Sequence, residues 1–302
     1  MIQNDIIHSS MTKKINPEKV QTLIAFLFVI ILMLSYFSYL GKTQTYASES
    51  FSLNYTPYNT SYFSNTKVLA QNVVPGNYGT GFCLTVPVLM YHHIQPTSVA
   101  QQKGQTSLNV DNGIFDQQMA YLVSQGYTTL SADQLVNALR SHSSLPSKSI
   151  VLTFDDGYMD NYTYAYPVLQ KYHLIGNIMV VTGLLENGDS LNWAQLKDMV
   201  GSGTFFAYDH TWSHASLSSV SNDKAQTEIM TAKSQLESNL GKTVDIFTYP
   251  YGSENSRIAS LLSQDGFLGA FSTVGGWTQC DSFIMSLHRS RIGNASLSSY
   301  GL

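Results

Sequence analysis

Apolar and polar positions change rhythm twice along the chain. Leu23 to Leu40 (LIAFLFVIILMLSYFSYL) is an uncharged run with no polar face. Its length approaches the ~20 residues that cross a bilayer core. Lys13, Lys14 and Lys19 precede it and Lys42 alone follows closely. The positive-inside rule then leaves residues 1–22 as a cytoplasmic tail and sends the rest of the chain across the membrane. A signal sequence cleaved after Thr45-Tyr46-Ala47, removing residues 1–47, is the rival reading. Signal cores run only ~7–15 residues, which favours a retained anchor over residues 23–40. Residues 41–84 are rich in Ser, Thr, Tyr, Asn and Gly without apolar periodicity, and read as a polar stem.

From Val86 onward, short apolar runs alternate with amphipathic stretches. Strands are expected at Val86–Tyr91, Ser149–Phe154, Asn177–Val181, Thr204–Tyr208, Asp245–Tyr249 and Leu268–Ser272. Phe115, Met119, Leu122 and Val123 share a helical face that stops at Gly126. Ser131 and Gln134 have capping-box spacing at the head of a helix carrying Leu135, Val136 and Leu139. Further helices are expected near Tyr164–Tyr172, over Trp193–Val200 before Gly201, from Ala225 to Leu240 before Gly241, and over Ser256–Asp265. Strands alternating with helices imply a parallel sheet with crossover helices. About seven such units in one domain over residues 85–302 suit a closed or nearly closed barrel, with a doubly wound open sheet as the alternative. In either case ligands meet the C-terminal ends of the strands.

Composition narrows the partners. The 302 residues carry 16 Lys+Arg and 20 Asp+Glu, a net charge of -4, which argues against nucleic acid. Hydrophobic residues make up 43%, enough for a sizeable core, while charged residues are only 12%, about half the usual ~25%. A surface of Ser, Thr, Asn, Gln and Tyr suits carbohydrate. The two cysteines, Cys83 and Cys280, could form one bridge or remain as thiols.

The polar residues at strand ends carry the chemistry. Ile150–Phe154 runs into Asp155-Asp156-Gly157, two adjacent carboxylates that are costly at the end of a buried strand unless something binds them. Thr204–Tyr208 runs into Asp209-His210-Thr211-Trp212-Ser213-His214. On one helical turn, His210 and His214 would face the same way and could share a metal. Thr211 stands where zinc proteases with this spacing carry their glutamate base, so the base must come from elsewhere, and Asp155 or Asp156 is the supplier. Two His plus one Asp, with positions left for water, is a catalytic ligand set. Phe247–Tyr249 runs into Pro250-Tyr251-Gly252, whose turn could aim backbone N–H groups into the site. His92 and His93 end the first strand, and His288 with Arg289 lies in the last segment.

Three of these motifs in this order, Thr153-Phe154-Asp155-Asp156-Gly157, His210-x-x-x-His214 and Tyr249-Pro250-Tyr251-Gly252, resemble the polysaccharide deacetylases of carbohydrate esterase family four, the NodB homology domain. The opening Pro87-Val88-Leu89-Met90-Tyr91-His92-His93-Ile94 resembles the branch of poly-N-acetylglucosamine deacetylases from biofilm-forming bacteria. The resemblance covers about residues 85–292, with the motif-bearing core at 149–292. It implies a deformed (β/α)7-type barrel and one divalent metal ion, usually Zn2+. It implies Asp155 as general base, Asp156, His210 and His214 as metal ligands, and the Tyr251 N–H in the oxyanion site. His92 or His288 would be the proton donor. Many relatives carry an Arg two residues before the third motif's Pro, where this chain has Thr248. The partner motif with Asp and Trp is echoed only by Trp277 and Asp281, and Ser286 replaces the Leu expected two residues before His288.

The function this implies is metal-assisted removal of N-acetyl groups from N-acetylglucosamine units of an extracellular or cell-wall polysaccharide. An O-acetyl-xylan type of esterase on the same site, and a catalytically silent, membrane-tethered glycan-binding module, are the alternatives.

Overall fold

A computed structural model describes residues 81–302. The expected tail, membrane segment and most of the stem lie outside these residues. Among the described residues no helix is long and apolar enough to cross a membrane.

The strands, in chain order, are β1 (Cys83–Thr85), β2 (Val88–Tyr91), β3 (His93–Ile94), β4 (Asn109–Val110), β5 (Thr128–Leu130), β6 (Ser149–Asp156), β7 (Gly176–Val180), β8 (Phe205–Asp209), β9 (Ile246–Thr248), β10 (Gly269–Phe271), β11 (Thr278–Cys280) and β12 (Ser290–Arg291). The helices are α1 (Thr97–Lys103), α2 (Asn112–Ser124), α3 (Ala132–Ser141), α4 (Tyr166–Tyr172), α5 (Trp193–Gly201), α6 (Asn222–Leu240) and α7 (Ser256–Gln264). The capping box on α3 is present: the Ser131 side chain accepts the Gln134 N–H and the Gln134 side chain accepts the Ser131 N–H. Gly241 ends α6 in the left-handed conformation at φ 64°.

The main sheet is parallel, in the order β10-β9-β8-β7-β6-β2-β12, with β5 beside the first residues of β6. From β2 through β6 to β10 the order follows the chain in one direction, so the reversal that defines a doubly wound sheet is missing. The chain then returns. Leu287 bridges to Phe271 in β10, and a few residues later Ser290 pairs with Leu89 in β2. The sheet is therefore curled and barrel-like, with helices outside.

Strand β6 is buried at every position, as a parallel strand covered on both faces should be. Its alternation sends Ile150, Leu152 and Phe154 into the layer that also holds Phe115, Met119, Leu169 and Phe205. Val151 belongs instead to the inner cluster with Val88, Leu130, Met179 and Ile246. A third cluster packs α6 and α7 against Phe247 and Tyr249.

One boundary differs from expectation. The last stem residues already belong to the domain, because Cys83 in β1 lies opposite Cys280 in antiparallel β11 and the two are joined by a disulfide.

Candidate active site

The carboxylate end of β6 builds one half of the site. Asp155 continues the inward face of the strand. Asp156 does not continue the alternation: its φ is 74°, followed by Gly157 at 77°, so the backbone turns within the motif itself. Asp156 Oδ1 lies 3.4 Å from His210 Nε2 and 3.2 Å from His214 Nε2.

The histidines come from the segment after β8, and here the expected helical turn is absent. Thr211 has φ 67° and His214 has φ 62°, left-handed values that an α-helix cannot contain. The loop is fixed by bonds to its neighbours: His210 N–H to the Val180 carbonyl at 3.1 Å, Gly183 N–H to the Trp212 carbonyl at 2.8 Å, and Trp212 N–H to the Glu228 carbonyl at 3.0 Å. A left-handed residue reverses the chain locally, so the i, i+4 pair converges without helical geometry. Tyr251, at φ 59°, is a further strained position beside the site. The residue is 70% exposed, and its ring meets the His214 ring edge-on, centroids 4.4 Å apart.

The donor set fits a divalent cation. One ligand atom from each of Asp156, His210 and His214 lies within 4.8 Å of the others. Asp156 Oδ1 is buried with no hydrogen-bond partner, an orphan that a cation would satisfy. His210 Nδ1 is 2.8 Å from the Thr248 carbonyl, which can only accept, so Nδ1 carries the proton and Nε2 presents its lone pair toward Asp156. Two nitrogens and a carboxylate oxygen are ligands for zinc and its neighbours in the first transition row.

Asp155 has a different partner. Arg289, 1% exposed, donates Nη1 to Asp155 Oδ1 at 2.6 Å and Nη2 to Oδ2 at 2.8 Å. Its Nε binds the Ser272 carbonyl and Nη1 also reaches Thr153 Oγ1. Burial pushes the Asp155 carboxyl up, but the Arg289 guanidinium, with His210 and His92, outweighs it and holds the group below the ordinary carboxylate range. Arg289 escaped the sequence reading as a functional residue, where it counted only as a neighbour of His288. The available signal was Thr248: with no Arg before the third motif's Pro, a buried base needs its cation from another strand.

The two proton-donor candidates separate. Half-buried His92 faces this cluster; burial lowers its pKa, Asp155 and Asp156 raise it, and Arg289 and His210 lower it. His288 precedes Arg289 on an extended segment, where adjacent side chains face opposite ways. Arg289 takes the side toward Asp155, while the His288 ring stacks on Phe283 at 4.7 Å and its backbone pairs with the Gln279 amide. The echoed residues are also elsewhere: Asp281 accepts the Phe82 N–H and pairs with His142, and Trp277 packs against Gly301. His93 turns away into a buried pair with Asp160 at 2.6 Å, under the Tyr158 ring.

Residues 142–270, which contain both halves of this cluster except Arg289 and His92, match the polysaccharide deacetylase family. The chain carries a polysaccharide deacetylase domain. The Bacillus subtilis protein YxkH is 29% identical over 207 residues, 68% of this chain and 71% of that protein. The Escherichia coli K12 poly-β-1,6-N-acetyl-D-glucosamine N-deacetylase is 27% identical over 139 residues, 41% of this chain but only 20% of that enzyme. Among solved structures, the Streptococcus pyogenes deacetylase PplD, in complex with acetate, aligns with a TM-score of 0.68 at 29% identity, covering 72% of this chain and 96% of PplD. The curled α/β sheet described above is thus that of a polysaccharide deacetylase domain.

Proposed function

We propose that this protein is a metal-dependent N-deacetylase of an extracellular or cell-wall polysaccharide containing N-acetylglucosamine, carried at the membrane by Leu23–Leu40. The observation that carries the reading is the division of the Asp155-Asp156 pair: one carboxylate joins two histidines with an orphan oxygen, the other is held by a guanidinium. The substrate of the Escherichia coli relative supports the sugar. The Cys83–Cys280 disulfide supports a location outside the cytoplasm, since such bonds persist in oxidising compartments.

Asp156, His210 and His214 would hold the cation. Bound there, a divalent cation makes water a better nucleophile near neutral pH and offsets charge on a carbonyl oxygen. Asp155 takes the proton from the attacking water as it adds to the acetamide carbonyl. Arg289 keeps the Asp155 carboxylate ionised and fixed in one orientation. The N–H of Tyr251, whose ring lies beside His214 at the open side of the site, donates to the developing oxyanion. His92 gives a proton to the departing amine, so the C–N bond breaks to leave a glucosamine unit with a free amine in the polymer and to release acetate.

Acetate release from N-acetylglucosamine oligomers, measured with and without a chelator, tests the reading. Release that stops on chelation and returns with Zn2+ is expected. Release from acetylated xylan alone would move the substrate class, and no release from either would leave a binding module. The anchor has its own test. A full-length protein that stays with membranes after a high-salt wash is expected, because apolar burial resists salt while surface attraction is screened; a soluble form beginning near Ser48 would show cleavage.

A further inference from the structure

Glu228 lies in the middle of α6 with no solvent exposure, and it faces the loop between the two histidine ligands. A carboxylate placed there is destabilising unless both oxygens are paired. Both are. Oε2 accepts the Ser213 N–H at 2.7 Å; Oε1 accepts the Ser213 hydroxyl at 2.8 Å and pairs with Lys224 Nζ at 2.6 Å. The Glu228 backbone carbonyl accepts the Trp212 N–H at 3.0 Å. One residue of a neighbouring helix therefore ties two consecutive positions between His210 and His214.

The loop has reason to need that tie. Thr211 and His214 on either side hold left-handed backbone conformations, each of which is strained and persists only when its surroundings over-determine it. The loop has no helical hydrogen-bond ladder of its own. An amide in place of Glu228 could not substitute fully. Ser213 N–H, Ser213 O–H and Lys224 all donate, and an amide offers one acceptor and a donor that faces another donor.

We propose that Glu228 is a positioning residue for the metal site: its carboxylate clamps Ser213 and thereby sets where His214 Nε2 stands relative to Asp156 and His210, and so the affinity for the cation. This rests on the metal-dependent reading above, and it adds a residue that neither touches the cation nor follows from the family motifs.

The test uses the full chain and Zn2+ alone, with affinity read by competition against a chromophoric chelator. Wild type is expected to bind one equivalent. Glu228→Gln is expected to bind about tenfold or more weakly, the scale on which outer partners of metal ligands act, while the metal-free variant keeps a cooperative melting transition. Ser213→Ala removes the hydroxyl bond and keeps the helix intact, and is expected to lose affinity in the same direction by less. The double variant is expected to lose less than the two single losses combined, since both remove one interaction. Unchanged affinity in Glu228→Gln, or additive losses in the double variant, would overturn the proposal. Should Glu228→Gln not fold, unchanged affinity in Ser213→Ala overturns it instead. Wild type that binds no Zn2+ would reject the metal-dependent reading itself, whereas tight wild-type binding with unaffected variants rejects the role of Glu228 alone.

Discussion

Asp155 and Asp156 are neighbours in sequence with partners drawn from opposite sides of the sheet. Asp156 meets histidines from the segment after β8, and Asp155 meets Arg289 just before β12. The sequence made the pair legible as chemistry because adjacent carboxylates at the end of an apolar run have no cheap alternative to binding something. Thr248 signalled that the base needs a cation from elsewhere, but nothing local marks Arg289 as the partner of a residue more than a hundred positions away. The pair makes a testable difference to pH dependence. Arg289 favours the ionised form of Asp155, and the base must be ionised to act. Arg289→Met therefore raises the Asp155 pKa, and the acid limb of kcat/KM is expected to move to higher pH. Because a buried carboxylate is left alone, a loss of ~3–5 kcal/mol in stability should accompany it. A pH–rate profile with an unmoved acid limb would show that Asp155 is not the titrating base.

At the scale of elements, the long periodic segments were readable, as were β9 and β10 within longer apolar runs, and the other two- and three-residue strands were not. α3 and α6 carry caps and apolar faces that leave few alternatives, and β6 to β8 are apolar runs ended by turns. β1, β3, β4, β5, β11 and β12 are two or three residues each, too short for any periodicity to register. The segment carrying His210 and His214 was misread because i, i+4 spacing serves a helix and a left-handed loop equally well. A further element contact, between α3 and β8, has a consequence for stability. Tyr208 donates its hydroxyl to Asp133 Oδ2 at 2.5 Å, in the first turn of α3. Burial, with Asp245 nearby, pushes the Asp133 carboxyl up from 3.8 to about 6. The folded protein thus binds a proton that the unfolded chain has released, so this group lowers stability as pH rises from about 3.8 to about 6. Asp133→Asn should flatten that part of the melting-temperature curve, and an identical curve in the variant would show that Asp133 titrates normally in the fold.

Over the whole molecule, parallel strands in a closed or nearly closed barrel were expected, but the residues that make the closure were not legible. It depends on Leu287 to Arg291 reaching β10 and β2 in turn, and on β1 returning to β11 through Cys83 and Cys280, separated by 197 positions. A crosslink over so long a loop restricts the unfolded chain strongly, so its removal is expected to cost about 2–5 kcal/mol. Wild type should then melt lower in dithiothreitol, while Cys83→Ser melts low in both conditions; a wild-type transition indifferent to reductant would contradict this. The central claim is that Asp156, His210 and His214 hold a cation while Asp155 acts as base beside it. Metal content and acetate release, measured on the same preparation of Asp155→Asn, test it most directly. The account expects one equivalent of metal, as in wild type, with acetate release abolished, against metal loss in Asp156→Asn and His214→Ala. Asp155→Asn that loses its metal as Asp156→Asn does, or that still releases acetate at the wild-type rate, would contradict it.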